Sequence, residues 1–433
     1  MEQEEILVRI EDFNGDIMEI KSIPLEGVKK RPMYLDSNLV SKLREAINSS
    51  PIFWKDAKYH SIYNQVCAVM DRLETAVAYI NKHCYYPKSE EKLICFMVFA
   101  CLIVDAPKML AKKINAFVSS QGISEEYKVK LPFKKDRELF KDICINAPFN
   151  LVEKDCPTDD EFFSFFRSIT FAHPYETNKL FHNLGNQVSP WLNVNNKWGD
   201  LSGAKGTLGI TIYSDLKDKN NSTTHTVKVP FKTIKRYIKI RYEAITVITQ
   251  WVKNEIRRNE DIWKLHGIAR GHTPVETLLN VKQSLKNRCQ DTYEIDAFIS
   301  YLTCELTDES NIFNVKKYRE ALLDKIDKIY LFAKELDYEG LLGQLEICYI
   351  RPQFMHQHAY YQLEKIFSYL NEGSNYSNIL WARQQSHEFS KLFAKKWVTI
   401  DAKNMSFEEI KLLVTTACFL EYQEQEREQL AKI

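Results

Sequence analysis

Glycine and proline are scarce, thirteen of each in 433 residues. So few chain-breakers leave little room for disordered tails or low-complexity linkers, and they favour long helices joined by short connections. Charge of one sign is scarce as well: 59 basic against 58 acidic residues give a formal net charge of +1. That balance excludes a globally basic nucleic-acid binder, so any contact with a polyanion must be local. No CxxC pair occurs among the ten cysteines, which lie scattered at 67, 84, 95, 101, 144, 156, 289, 304, 348 and 418. They read as small core residues in a reducing compartment.

Long apolar runs are also missing. The most hydrophobic stretch, Leu93 to Val104, lies between Lys92 and Asp105. At about twelve residues it is too short for a bilayer span and the right length for the central helix of a bundle. The opening MEQEEILVRIEDFNGD has neither the basic region nor the apolar run of a secretory signal. The expectation is therefore a cytoplasmic protein without membrane contact. Several chemistries lack their motifs too. There is no GxxxxGK[ST] phosphate loop, no GxGxxG and no GxSxG, and the glycines around Gly203-Ala-Lys205-Gly206 precede a strand-like run instead of following one. His356-Gln-His358, the only close histidine pair, puts its rings on opposite sides of a helix with no cysteine or carboxylate motif beside it. No metal site and no cofactor is expected.

What is present reads as mainly α, with 45% hydrophobic residues to build real cores. Residues 1–37 hold a β element, because Ile6, Val8 and Ile10, then Ile17, Ile20 and Ile23, alternate around Asn14-Gly15. Residues 38–185 read as a helical bundle. Residues 186–230 read as a β-hairpin insertion, with strand-like runs from Thr207 to Tyr213 and Thr223 to Val229. A long basic amphipathic helix is expected over 231–270, and a second helical domain over 271–433. In that last part Thr273 with Glu276, and Ser406 with Glu409, have capping-box spacing. Trp381, Trp397 and Tyr360-Tyr361 are expected to pack between helices. No fixed-period repeat is detectable.

The richest segment is Arg167-Ser-Ile-Thr-Phe-Ala-His173-Pro-Tyr-Glu-Thr177. Thr158 followed by Glu161 has capping-box spacing, and Phe162, Phe165, Phe166 and Ile169 recur on one face of the helix that follows. Pro174 disfavours helical geometry at the residue before it, which puts His173 at or just past the last turn. An imidazolium there is favoured by the negative end of the helix dipole. Spacing by itself is unspecific. Sixteen arginines and ten histidines give about one match of this spacing by chance. Arg351 followed by His356 and His358 matches as well, but Pro352 bars a continuous helix through that copy.

The Arg167 to His173 segment resembles the Rx4-6H motif of the HEPN superfamily, helical bundles found in ribonucleases of bacterial toxin and antiviral systems. The likeness extends back to a helix around Tyr63 to Tyr79 and another around Glu90 to Phe117. The resemblance implies a metal-independent endoribonuclease in phage defence or toxin-type growth arrest. Arg167 and His173 would be catalytic, with Ser168 and Thr170 in support. It also implies a homodimer, because two copies of the motif must share one cleft, and it allows for a protein inhibitor or regulator. Ser168 departs from the Asn, Asp or His that such families often carry there. That departure keeps a catalytically inactive RNA-binding or protein-interaction scaffold as the alternative.

A second feature follows Pro230. From Lys228 to Arg241 six basic residues occur with no acidic one. Lys232, Lys235, Arg236 and Lys239 fall together on one helix face, apart from the apolar stripe of Ile234, Ile238, Ile245 and Ile248. Those four are the expected RNA-phosphate contacts.

Overall fold

Helices dominate because the sequence offers long runs of apolar residues at helical spacing with few breakers to interrupt them. A computed structural model describes residues 7–11, 17–21, 34–133, 136–146, 149–172, 188–194, 206–214 and 223–431. Strands β1 (Leu7–Glu11) and β2 (Ile17–Lys21) open the chain, followed by helices α1 (Asn38–Asn48), α2 (Ile52–Lys55), α3 (His60–Lys82) and α4 (Glu90–Ser120). Then come α5 (Lys141–Ile145), α6 (Asp159–Arg167), a π turn over Ser168–Ala172, and strands β3 (Val188–Asn193), β4 (Thr207–Ser214) and β5 (Thr224–Pro230). The remainder is helical: α7 (Phe231–Glu243), α8 (Ile245–His266), α9 (Pro274–Asn287), α10 (Tyr293–Thr303), α11 (Ile312–Leu323) and α12 (Ile326–Glu335). It ends with α13 (Tyr338–Leu345), α14 (Gln357–Tyr369), α15 (Tyr376–Leu392) and α16 (Phe407–Leu430). The fold is mainly α with small antiparallel β elements.

Two compact units divide the chain. The first comprises residues 1–43 and 68–248, the second residues 44–67 and 249–433. In the first, β1 and β2 pair antiparallel with Glu11 opposite Ile17, so five residues separate the last paired positions and Asn14-Gly15 lies outside the described residues. The second sheet has the order β3-β4-β5. Its β4-β5 pair was legible as a hairpin; β3 was not foreseen. Pro190 in β3 argues against a strand on propensity, yet it is tolerated because β3 is an edge strand and an edge position need not donate on both sides.

Helix α4 is the spine of this unit. Ser89 accepts from the Lys92 amide to start it, and it runs on through Asp105 and Pro107 to Ser120. Pro107 has no N–H, so the Ile103 carbonyl loses its usual helical donor. The helix expected from Glu90 to Phe117 is continuous, and the reading of its apolar part as too short for a bilayer span is corrected: among the described residues the helix is long and apolar enough, by length and composition, to cross a membrane. Half of its most apolar window is buried inside the structure. Phe96 packs against Phe231 of α7 with ring centroids 5.0 Å apart.

The long helix expected over 231–270 is two helices. Pro230 precedes α7, whose end at Glu243 is followed by Ala244 and then α8. In the second unit α16 runs through the core: Ile410 and every residue from Leu412 to Leu420 are buried. A helix apolar all round is one enclosed by others. Both expected C-terminal capping boxes are half-formed. Thr273 and Ser406 accept from the Glu276 and Glu409 amides, but Glu276 instead accepts from His272 N at 2.6 Å and Glu409 from Thr307 N at 2.7 Å. Residues 44–67 are tied into this unit by a buried network. The Tyr59 hydroxyl donates to Glu255, Arg258 forks onto the same carboxylate at 2.8 and 2.6 Å, and Asn259 Nδ2 donates to the Tyr59 hydroxyl at 3.0 Å.

Candidate active site

The helix that carries Arg167 begins as the sequence predicts. Thr158 accepts from the Glu161 amide, and the Glu161 carboxylate accepts from the Thr158 amide at 2.8 Å. Two acidic residues follow Thr158 as well, and the structure uses both for something other than capping. Asp159 is buried and accepts from the amides of Glu138, Leu139 and Phe140 at 3.3, 3.0 and 3.2 Å. Burial raises its carboxyl above the ordinary value, against the pull of those three amides. This pins the start of α6 to the segment before α5.

Asp160 is the hub of a charged network. Its carboxylate accepts from Tyr237 Oη at 2.6 Å and from Arg241 Nε at 3.2 Å, and it pairs with Lys108 Nζ at 2.8 Å. Burial alone would raise this carboxyl. Hydrogen bonds from Lys108 and Tyr237 and the charges of Lys108 and Arg241 outweigh that and hold it below the ordinary value. Arg241 is 1% exposed, lies 4.1 Å from the Tyr237 ring and 4.4 Å from that of Phe133, and its Nη2 has no hydrogen-bond partner. The network fixes α4, α6 and α7 to one another at the first turn of α6.

Arg167 ends α6, at the opposite end of the helix from Asp160. Its side chain is 41% exposed, and Nη1 lies 3.9 Å from the Asp105 carboxylate on α4. That separation is the outer limit of an ion pair, and such exposed pairs contribute about 0–1 kcal/mol. Nε is closed off from solvent and has no hydrogen-bond partner. Cys101, one turn before Asp105, faces the same guanidinium; burial pushes its thiol up to about 12 although Arg167 opposes the shift. Arg167 is thus a partly exposed cation loosely held by one carboxylate, with donor capacity left for an anion.

From Ser168 the backbone widens into the π turn that runs to Ala172. Single π turns occur often at functional sites, because they re-aim side chains that a regular helix would stack. The continuous helix expected up to His173 is therefore corrected: α-helical geometry stops at Arg167. Ser168 is half-buried next to Arg167. Thr170, expected in support of the site, is instead buried, and its hydroxyl donates to the Phe166 carbonyl at 2.7 Å. It serves the helix backbone. His173 lies outside the described residues.

The basic stripe is on α7. Lys232, Arg236 and Lys239 are exposed at spacings of four and three, one face of the helix. Lys239 sits 3.9 Å from Glu243. Lys235 is half-buried, its ammonium 5.1 Å from the Tyr34 ring centre, so it belongs as much to packing as to the stripe. Tyr237 and Arg241 leave the other side of the same helix for Asp160. One helix therefore carries a buried polar face and an exposed cationic one.

The other Arg–His copy has structural duties. Arg351 lies in a loop with its guanidinium 5.1 Å from the Phe367 ring, and His356 caps α14 by accepting from the His358 amide at 3.2 Å. Among the described residues no group of three or more His, Cys, Asp or Glu could hold a metal ion. All ten cysteines are free, but only Cys144, Cys156, Cys348 and Cys418 are buried and Cys95 is exposed, so the reading of all ten as core residues is corrected. Sequence reasoning missed Asp105, Lys108, Asp160, Tyr237 and Arg241. The available signal was three acidic residues in the first turn of α6, more than a cap needs. Compared with family models, with curated proteins and with solved structures, the chain finds no match in any of the three.

Proposed function

We propose that the chain is a metal-independent endoribonuclease that cuts RNA by attack of its own 2′-hydroxyl, working as a homodimer in which two copies of Arg167 and His173 share a cleft. The observation that carries this reading is Arg167: a partly exposed guanidinium with an unpaired Nε, at the end of a capped aromatic helix, six positions before a histidine. Forked hydrogen bonds from Arg167 would stabilise the charge building on the phosphorane oxygens. One His173 takes the 2′-hydroxyl proton as the 2′-oxygen bonds to phosphorus. His173 of the partner subunit gives a proton to the departing 5′-oxygen as the P–O5′ bond breaks. The products are a 2′,3′-cyclic phosphate and a 5′-hydroxyl. Lys232, Arg236 and Lys239 would hold flanking phosphates. A role in phage defence or growth arrest belongs to the same reading.

A second reading has its own observation. Arg167 already has a carboxylate neighbour in its own unit, Asp105 at 3.9 Å, which suits an inactive RNA-binding or protein-interaction scaffold. End-group analysis of RNA incubated with the purified chain separates the two. The nuclease reading predicts cyclic phosphate ends, no cutting of DNA, a block by 2′-O-methylation at the cut site, and persistence in excess chelator. Loss of cutting with chelator, or equal cutting of methylated RNA, contradicts the mechanism. RNA left uncut favours the scaffold.

A further inference from the structure

The second unit contains a cleft of about 710 Å³, walled by α11, α12, α13, the turn after α13, and α16. Its volume is that of a small-molecule site. Three features of its lining point to one chemistry. Lys325 and Lys328 reach it from the start of α12, one half-buried and one exposed, and among the described residues no carboxylate lies within ion-pair distance of either. Phe419 and Tyr422 bring rings from α16. Gln344 and Tyr349 complete the wall, and both hold polar atoms that are sealed from solvent without a partner: the Gln344 amide oxygen and the Tyr349 hydroxyl.

Buried polar atoms without partners are rare because their desolvation is not recovered. Here one is an acceptor and the other a donor, on the wall of the same cleft. A modest side-chain rotation would turn each toward an occupant that offers a donor beside an acceptor, the pattern on the edge of every nucleobase. Phe419 is 5% exposed and packs against Tyr318, so the half-buried Tyr422 ring is the stacking surface for such a base. Two unpaired lysines provide for phosphate. Asp324, Glu346 and Glu426 also line the cleft, and the last is partly engaged by the Tyr422 hydroxyl at 2.7 Å. Those three carboxylates repel a ligand of high negative charge and limit it to a single phosphate.

We infer that this cleft binds a nucleoside monophosphate, with the base between the Tyr422 ring and the Gln344–Tyr349 wall and the phosphate on Lys325 and Lys328. The inference is independent of the ribonuclease reading, since it concerns equilibrium binding to the second unit.

Isothermal titration of the 433-residue chain with the four common nucleoside monophosphates, adenosine, ATP and inorganic phosphate tests it. At least one monophosphate should bind with Kd below about 1 mM, and about tenfold or more tighter than its nucleoside, than phosphate, and than the triphosphate. Lys325→Ala with Lys328→Ala should abolish the preference for monophosphate over nucleoside while the melting temperature stays within a degree or two. Tyr349→Phe is the decisive variant. If the hydroxyl meets a base, its removal weakens monophosphate binding about tenfold. If the hydroxyl is only a packing defect, its removal leaves binding unchanged and the fold as stable or more so, which overturns the inference. So does saturation by none of the four monophosphates, or a triphosphate bound as tightly as the monophosphate.

Discussion

Replacing Asp160 by Ala would strip the hub from three partners at once. Arg241 is the one that matters most, because it is 1% exposed and Asp160 is its only ion-pair partner among the described residues. Breaking a buried pair from one side costs about 3–5 kcal/mol, since the surviving charge stays desolvated. Asp160 itself retains 24% exposure, through which water can reach the site, so the lower end, about 3 kcal/mol, is the better figure. At a urea slope of about 3 kcal/mol per molar, the unfolding midpoint followed by far-UV circular dichroism should fall by about 1 M. Asp160→Asn keeps an acceptor for Tyr237 and should lose less. The pH dependence has a definite sign. The carboxyl is held below its ordinary 3.8 in the folded chain, so its charge stabilises the fold above that value. The contribution is lost as pH falls through the lowered one. The gap between wild type and Asp160→Asn should therefore narrow on acidification below 3.8. A midpoint shift under about 0.3 M for Asp160→Ala, or a gap that widens in acid, would refute this account of the network.

Other expectations can be checked separately. Reversing Lys232 and Arg236 to Glu should weaken RNA binding and reduce the slope of log affinity against log salt by about two, with the melting temperature unchanged, because both are exposed. Lys235→Ala, in contrast, removes a cation lying over Tyr34 and should cost about 0.5–1 kcal/mol of stability; equal melting temperatures for the two kinds of variant would dissolve the distinction. Light scattering should give a dimer under conditions where RNA is cut, with a stable, active monomer counting against a shared cleft.

Local signals were legible in the sequence, and long-range ones were not. The α6 cap, the helices α3 and α4, and the β4-β5 pairing follow from spacing and turn chemistry over a few residues. The π turn does not, since nothing in Ser168-Ile-Thr-Phe-Ala distinguishes it from one more helical turn. Tyr360, Tyr361 and Trp381, expected between helices, are 56%, 45% and 42% exposed; aromatic identity favours burial without fixing which helix face turns inward. Residues 44–67 belong to the second unit because Tyr59 meets Glu255, 196 positions away. The unit boundaries fall inside α1, α3 and α8, where no glycine or proline linker marks the crossing. At the candidate site the capped helix that ends at Arg167 was legible from the spacing of Thr158, Glu161 and the phenylalanines. The Asp160 network was not, because Lys108, Tyr237 and Arg241 come from two other helices.

The central claim is that Arg167 and His173 cut RNA. The direct test compares wild type, Arg167→Ala and His173→Ala on one RNA substrate in excess chelator, with melting curves of all three. The account predicts cyclic phosphate products from wild type and activity lower by orders of magnitude in both variants. It also predicts little change in stability, since Arg167 is partly exposed and pairs only at 3.9 Å. Alanine variants that cut as fast as wild type would contradict it.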